Sequence, residues 1–228
     1  MTLTRKAWEQ VNQLDHPEGF RMGPINAETW LRDPKHMGFM LSRYKFAAKM
    51  MRRCTSILEV GCGEALGTMI LVKDTRAHVT ATDFDEVQIQ YAKTHVEPFG
   101  EGRLHCEVRD FIGSQPLDTD RYEGLLCIDV IEHIHPEDER AFLDHITAAL
   151  KPGGVALFGT PNILSDAFAS PPSRAGHVNL FDGDRLTETL ERYFSQVFLF
   201  SMNDEIIHTG FTKMAHYLMA LCVKAGPE

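Results

Sequence analysis

From residue 55 onward, short continuous apolar runs alternate with longer stretches whose apolar residues recur every three to four positions. ILEV at 57–60 precedes ALGTMILVKD, and HVTATD at 78–83 precedes DEVQIQYAKTH. LHCEV at 104–108, GLLCIDV at 124–130, a helical stretch from about 136 to 150 and GVALFGT at 154–160 continue the series. Short apolar runs bounded by turn residues read as strands buried on both faces, and the 3.6-period stretches read as helices laid over them. Their alternation predicts an α/β fold: a doubly wound, mostly parallel sheet with helices on both faces, which binds ligands at the carboxyl ends of its strands near the switch in strand order. QVFLFS at 196–201 and the alternating AHYLMALCVK at 215–224 add an antiparallel pair, for seven strands in all.

Outside this core the pattern is less regular. Pro17, Gly19, Gly23, Pro24 and Pro34 prevent any long helix before PKHMGFMLSRYKFAAKMM at 34–51, which reads as one amphipathic helix. After Pro161 comes SDAFASPPSRAGHVNLFDGD, long for a loop without structure and therefore a candidate lid or acceptor loop. A helix around 184–193 follows. No internal repeat or second domain boundary is visible.

Composition narrows the classes. The 228 residues, 43% hydrophobic and 24% charged, suit one ordinary globular domain and exclude disorder, collagen-like repeats and a small disulfide scaffold. With 23 basic and 32 acidic residues, the net charge of -9 disfavours nucleic acid as a partner. No apolar stretch is long enough for a membrane span, and the first residues lack the apolar core of a signal peptide, so the expected address is cytoplasmic with no membrane partner. Cys54, Cys62, Cys106, Cys127 and Cys222 are odd in number and mostly set in apolar segments, as reduced core thiols are.

Candidate chemistry begins at ILEVGCGEALGT, where Gly61, Gly63 and Gly67 follow a predicted strand and open a helix. A tight turn that lets a ligand approach backbone amides excludes a Cβ. Asp83 ends the next strand twenty residues beyond Gly63, where a carboxylate accepts both hydroxyls of a ribose. The pair points to an adenosine-type ligand, a dinucleotide included. The motifs EVGCG, ATDFD, RDF, LLCIDVIEHI and LKPGGVALFGTPN, in that order over residues 55–224, resemble the class I S-adenosylmethionine-dependent methyltransferases. That resemblance implies a Rossmann-like fold and S-adenosylmethionine as cofactor. It implies contacts from the glycine loop (Glu59, Gly61, Gly63) to the methionine portion, from Asp83 to the ribose, and from Asp110 and Phe111 to adenine. The alternative for Asp110 and Phe111 is an ordinary strand end and a core aromatic. Asp85 and Glu86 read as helix N-terminal charges, and Cys62 as a small residue tolerated between glycines.

GLLCID runs into VIEHIHPED, which puts Asp129, Glu132, His133 and His135 at the carboxyl edge of the fourth strand. Methyl transfer is an in-line displacement, so a hydroxyl acceptor needs a group or a metal to take its proton. Asp129, Glu132 and His133, with His177 downstream, resemble part of a metal-binding set in methyltransferases of the ubiquinone-biosynthesis type and in small-RNA 2′-O-methyltransferases. Asp129 stands where those families usually have glutamate, one methylene longer. Such a set suits magnesium, manganese or zinc. Two other readings stay open: a catalytic role for Glu132, His133 or His177 with a histidine as general base, or a Glu-His pair that only orders the loop.

Within the 34–51 helix, His36, Met37, Phe39, Met40, Arg43 and Tyr44 form a stripe that serves core packing or the acceptor pocket. Tyr44 is the choice for an aromatic face over the sulfonium, and Asp129 is also counted with the cofactor-binding residues. Trp30 is a candidate for the entrance and Arg174 for an acidic group on the acceptor, or for solvent; His208 and His216 receive no role.

The chain thus reads as a single domain over 1–228, with an N-terminal helical lid at 1–55, a cofactor-binding core at 56–160, and an acceptor loop with the C-terminal strands at 161–228. The expected activity is methyl transfer to a small-molecule acceptor, by preference a hydroxyl oxygen, in a monomer or homodimer. The alternatives are an RNA 2′-O-methyltransferase, for which the only basic clusters are Arg52-Arg53 and short pieces around 35–45, and a non-catalytic S-adenosylmethionine-binding subunit.

Overall fold

In the computed structural model, which describes residues 2–16, 18–113 and 119–226, eight strands form one sheet. They are β1 (Ser56–Val60), β2 (His78–Asp83), β3 (Leu104–Val108), β4 (Tyr122–Ile128), β5 (Leu150–Pro161), β6 (Gln196–Asn203), β7 (Ile206–His208) and β8 (Tyr217–Val223), in the order β3-β2-β1-β4-β5-β8-β6-β7. The first five pair in parallel and the last three antiparallel. All seven expected strands are present. The eighth, β7, lies in the polar segment read as a connection: Asn203 pairs with Ile206 across a two-residue turn in which Asp204 takes φ 51°.

The side-chain alternation of these strands sorts residues between two cores. Ile57, Leu126, Leu157 and Met219 face α3 (Pro34–Met50), α4 (Thr68–Asp74) and α5 (Glu86–His95). Leu58, Leu125, Phe158 and Leu218 face α6 (Glu139–Ala148) and α8 (Gly183–Leu190). The strand order reverses at β1, with β2 on one side and β4 on the other, so the β1 and β4 carboxyl ends open a crevice.

Three details differ from expectation. The α6 helix is shorter at both ends than 136–150: residues 136–138 form a turn, and Leu150 already pairs with Tyr122 as the first residue of β5. The segment after Pro161 is structured: Asn162 caps a 3₁₀ helix at Ile163–Phe168, and Ser170 caps α7 (Pro171–Gly176), whose first residues are prolines. The N-terminal segment holds α1 (Leu3–Val11) and α2 (Pro24–Arg32); Ile25 and Asn26 of α2 and Met40 and Tyr44 of α3 line the crevice, and no residue of α1 does. All five cysteines are free and buried. Among the described residues no helix is long and apolar enough to cross a membrane.

Candidate active site

The turn after β1 is built on backbone conformation. Gly61 and Gly63 have φ of 76° and 54°, and a Cβ on Gly61 would lie 2.1 Å from Val130 Cγ2. The Gly61 and Cys62 N–H groups both donate to Thr82 O, which pins the turn to β2 (2.8 and 2.9 Å). Above it opens a cavity of about 820 Å³, well within the range of small-molecule sites.

Asp83, at the end of β2, lies on the cavity wall and accepts the Gly63 N–H on Oδ2 (2.9 Å) and the Asp85 N–H on Oδ1 (3.0 Å). Each oxygen keeps a lone pair for a ligand hydroxyl. Asp85 is the N-cap of α5, as read, accepting from the Val87 and Gln88 N–H groups. Asp110 and Phe111 lie on the same cavity; Asp110 Oδ1 accepts the Ile112 N–H (2.8 Å), and Phe111 meets Phe142 edge to face.

Glu59 does not reach the wall. It is buried beneath the glycine turn, where it accepts the Tyr44 hydroxyl on Oε1 (2.7 Å) while Oε2 has no partner. Tyr44 therefore spends its hydroxyl on Glu59 and lends only its ring to the cavity, packed so closely under Gly67 that a Cβ there would lie 2.2 Å from it. Burial raises the Glu59 carboxyl from 4.5 to about 7. The native state then holds a proton that the unfolded state releases, so stability falls as pH rises from about 4.5 to 7, by on the order of 3 kcal/mol. Glu59→Gln keeps an acceptor for Tyr44 and removes the charge. It is expected to flatten the melting temperature against pH over that window and to melt above the wild type at pH 8; parallel curves would refute this.

At the far end of the cavity β4 leaves through Asp129, in the left-handed region at φ 56°, into a 3₁₀ turn at Ile131–His133. Asp129 is on the wall but committed: its Oδ2 accepts from Arg43 Nη1 at 2.6 Å, and the buried Arg43 guanidinium stacks 3.7 Å over the Tyr217 ring. Glu132 is wholly buried, accepts the Thr160 hydroxyl on Oε2 (3.1 Å) and leaves Oε1 without a partner. Burial, then the Asp129 charge, pushes its carboxyl well above the usual range. His133 Nδ1–H donates to the Gly176 carbonyl (2.9 Å), which frees Nε2. His177 follows α7, its ring 5.1 Å from that of His133, and burial and His133 together lower its pKa.

One ligand atom each from Glu132, His133 and His177 lie within 4.8 Å of one another. Three of the four expected metal ligands thus meet, and Asp129 does not join them: its carboxylate is paired with Arg43.

Other sequence candidates lie elsewhere. Trp30 is exposed and off the cavity wall, His135 is exposed outside the cluster, and Arg174 bonds its own loop through Nε to Ala169 O (3.1 Å). His36 is exposed, Met37 is core, and Met40 reaches the cavity.

Glu64 was not anticipated. Its carboxylate accepts the Ile25 and Asn26 N–H groups (2.8 and 3.0 Å) and Asn26 Nδ2 (2.6 Å), fastening the start of α2 to the glycine turn. Gly23 lets it approach, since a Cβ there would lie 2.1 Å from the Glu64 carboxyl carbon. Gly23-Pro24 signalled a helix start, but no local signal names a capping acid 38 residues away.

Residues 57–154 match a family model described as a methyltransferase domain. The chain is 27% identical over 172 residues to the ubiquinone biosynthesis O-methyltransferase of Maricaulis maris, covering 68% of this chain and 65% of that one. It is 32% identical over 114 residues to the protein of the same name from Paramagnetospirillum magneticum, covering 50% and 43%. These matches span less than two thirds of the relatives' own length. Among solved structures, the methyltransferase domain of a bacterial Hen1 superposes with a TM-score of 0.67 at 16% identity, over 82% of this chain and 98% of that one. An S-adenosylmethionine-dependent methyltransferase from Thermotoga maritima gives 0.66 at 14% identity, over 87% and 95%. At these identities the structures speak for the fold.

Proposed function

We propose, from the premise that this chain belongs to the class I S-adenosylmethionine-dependent methyltransferases, that it methylates a hydroxyl oxygen of a small-molecule acceptor. The observation that carries this reading is the meeting of Glu132 and His177 with His133, which lies on the wall of the cavity that Asp83 and Asp110 line. An amine that enters neutral needs only placement, whereas a hydroxyl needs its proton removed, and this cluster supplies the means. The two relatives from Maricaulis maris and Paramagnetospirillum magneticum, both named ubiquinone biosynthesis O-methyltransferases, support the same acceptor atom.

The cavity fits the cofactor in chemistry as well as size: the glycine turn takes the methionine portion, Asp83 the ribose hydroxyls, and Asp110 with Phe111 the adenine. S-adenosylmethionine when bound supplies a methyl group on a positive sulfur. The Tyr44 ring edges the cavity with its hydroxyl turned away to Glu59, an apolar surface suited to a sulfonium.

The cluster also fits a divalent cation. Glu132 Oε1 is buried without a partner, His133 Nε2 is free, and His177 favours its neutral form. Glutamate with two histidines is a set used by catalytic zinc sites that keep a position open, and manganese or magnesium would complete theirs with water. A cation held there would make an acceptor hydroxyl more acidic. Without one, a histidine of the cluster is the base, and His133 is the one on the cavity wall. Arg43 offsets the Asp129 charge beside Glu132, so the edge of β4 does not carry two uncompensated carboxylates.

The test is turnover with methyl-labelled S-adenosylmethionine and a panel of phenols, catechols, amines and RNA oligomers, with products identified by mass spectrometry. It is run after chelation and again after adding magnesium, manganese or zinc. Methyl ethers on small hydroxyl compounds are expected, lost on chelation and restored by one of the ions. Products only on nitrogen or on RNA ribose would overturn the acceptor assignment, and cofactor binding with no product from any acceptor would leave a non-catalytic subunit. Equal rates after chelation would replace the cation by the histidine base.

A further inference from the structure

The amino ends of the strands carry a second cavity, of about 620 Å³, on the edge of the sheet away from the cofactor cavity. Its walls come from the end of α3 and the turn after it, the start of β4, and the start of β5. Among the described residues four cations line it, Lys49, Arg52, Arg53 and Lys151, with one carboxylate, Glu123. Glu123 is already occupied: Oε2 accepts the Thr55 N–H and hydroxyl (2.7 and 2.9 Å), and Oε1 pairs with Lys151 (3.3 Å). Lys49, Arg52 and Arg53 are exposed and form no hydrogen bond or ion pair among the described residues.

In a chain of net charge -9 this concentration of positive charge runs against the overall field. The α3 carboxyl end accounts for part of it, but a helix terminus carries about half an elementary charge, and three free cations exceed that several-fold. A concave, low-dielectric wall focuses their field into the cleft. The far rim leaves room, since a Cβ added to Gly153 would meet nothing within 4 Å.

We infer that this cleft binds the polyphosphate group of a small molecule, separately from the methyl-transfer site. Arginine forks match phosphate oxygens, and a ligand with several negative charges is needed to satisfy three free cations at once. The volume exceeds what a single phosphate fills. Among the described residues no aromatic side chain lines the cleft, so they offer no platform on which bases stack as they do in single-stranded nucleic-acid sites. Recognition therefore rests on the phosphates, and the rest of the ligand is held loosely.

The test is calorimetric titration of the full chain with tripolyphosphate, ATP and a single-stranded RNA oligomer at constant ionic strength, repeated with Arg52→Gln/Arg53→Gln, whose side chains are exposed. Saturable binding of tripolyphosphate and ATP is expected, with affinities within about threefold of each other and weakened about tenfold or more in the double variant. S-adenosylmethionine binding and the melting temperature of that variant serve as controls for folding and are expected to match the wild type. Absence of saturable tripolyphosphate binding below millimolar concentration, or equal binding by wild type and variant, would overturn the proposal. So would equal competition by sulfate, which would mark a merely cationic surface, or RNA binding that tripolyphosphate does not displace.

Discussion

Asp83→Ala is expected to weaken binding of S-adenosylmethionine and of its demethylated product by about 100-fold or more. The carboxylate has one free lone pair on each oxygen facing the cavity, so two charge-assisted bonds to ribose hydroxyls are lost, each worth about 1.5–3 kcal/mol. At roughly 1.4 kcal/mol per tenfold, even the lower figure for both bonds reaches two orders of magnitude. The Gly63 and Asp85 N–H groups also lose their acceptor, which loosens the turn that should hold the methionine portion. Asp83→Asn keeps one carbonyl acceptor and is expected to fall between the two, at about tenfold. Calorimetric titration of the three proteins checks the order, and an alanine variant that binds like the wild type would remove Asp83 from the cofactor site.

Glu132→Gln is expected to lower the turnover number by about 100-fold or more while leaving cofactor affinity and thermal stability in place. The three readouts separate because Glu132 is off the cavity wall yet within reach of His133 and His177. Glutamine keeps the volume and an acceptor for Thr160, so the packing survives. A buried carboxyl whose ionised form is disfavoured contributes little stability in the absence of a cation, and removing its charge costs little. What disappears is the one anionic donor among the three clustered ligands. Titration of chelator-treated protein with manganese or zinc should show weakened uptake in the variant. Turnover within threefold of the wild type would reduce Glu132 to a loop-ordering residue.

Much of the site was legible because its signals are local. The Gly61 and Gly63 backbone conformations are ones that glycine adopts at little cost, and Asp83 follows from the strand it ends. The Glu132-His133 pair was legible as chemistry at the end of β4, whereas His177 entered only through the resemblance, and the return of its segment to that pair is a matter of the tertiary structure. That return is visible in the Asn179 N–H donating to Glu132 O (3.0 Å) and in the bond of His133 to Gly176 O. Glu59 was misplaced because alternation puts it on the same face of β1 as Ile57, beneath the turn, and its partner Tyr44 arrives from α3, where no local signal names it.

Asp129 shows the limit most clearly. Its spacing from Glu132 and His133 fits a metal set, and spacing is all that a linear pattern supplies. The competing partner, Arg43, is 86 residues earlier, on a helix that only packing against the sheet brings to the β4 edge. Glu64 with α2 is the same case at a separation of 38 residues, and so is the cationic cleft, assembled from three segments of which only Arg52-Arg53 stands out in the sequence.

The sequence by itself therefore determined the alternation of strands and helices, the parallel sheet with its closing antiparallel pair, the glycine turn and the acids at strand ends, because each depends on side-chain periodicity or backbone freedom within a few residues. The tertiary structure alone decided which carboxylates are free and which are spent. Asp83 faces the cavity, Asp129 is taken by Arg43, Glu59 by Tyr44 and Glu64 by α2, since a charged side chain is claimed by whichever distant partner the packing of the whole chain sets within about 3 Å of it.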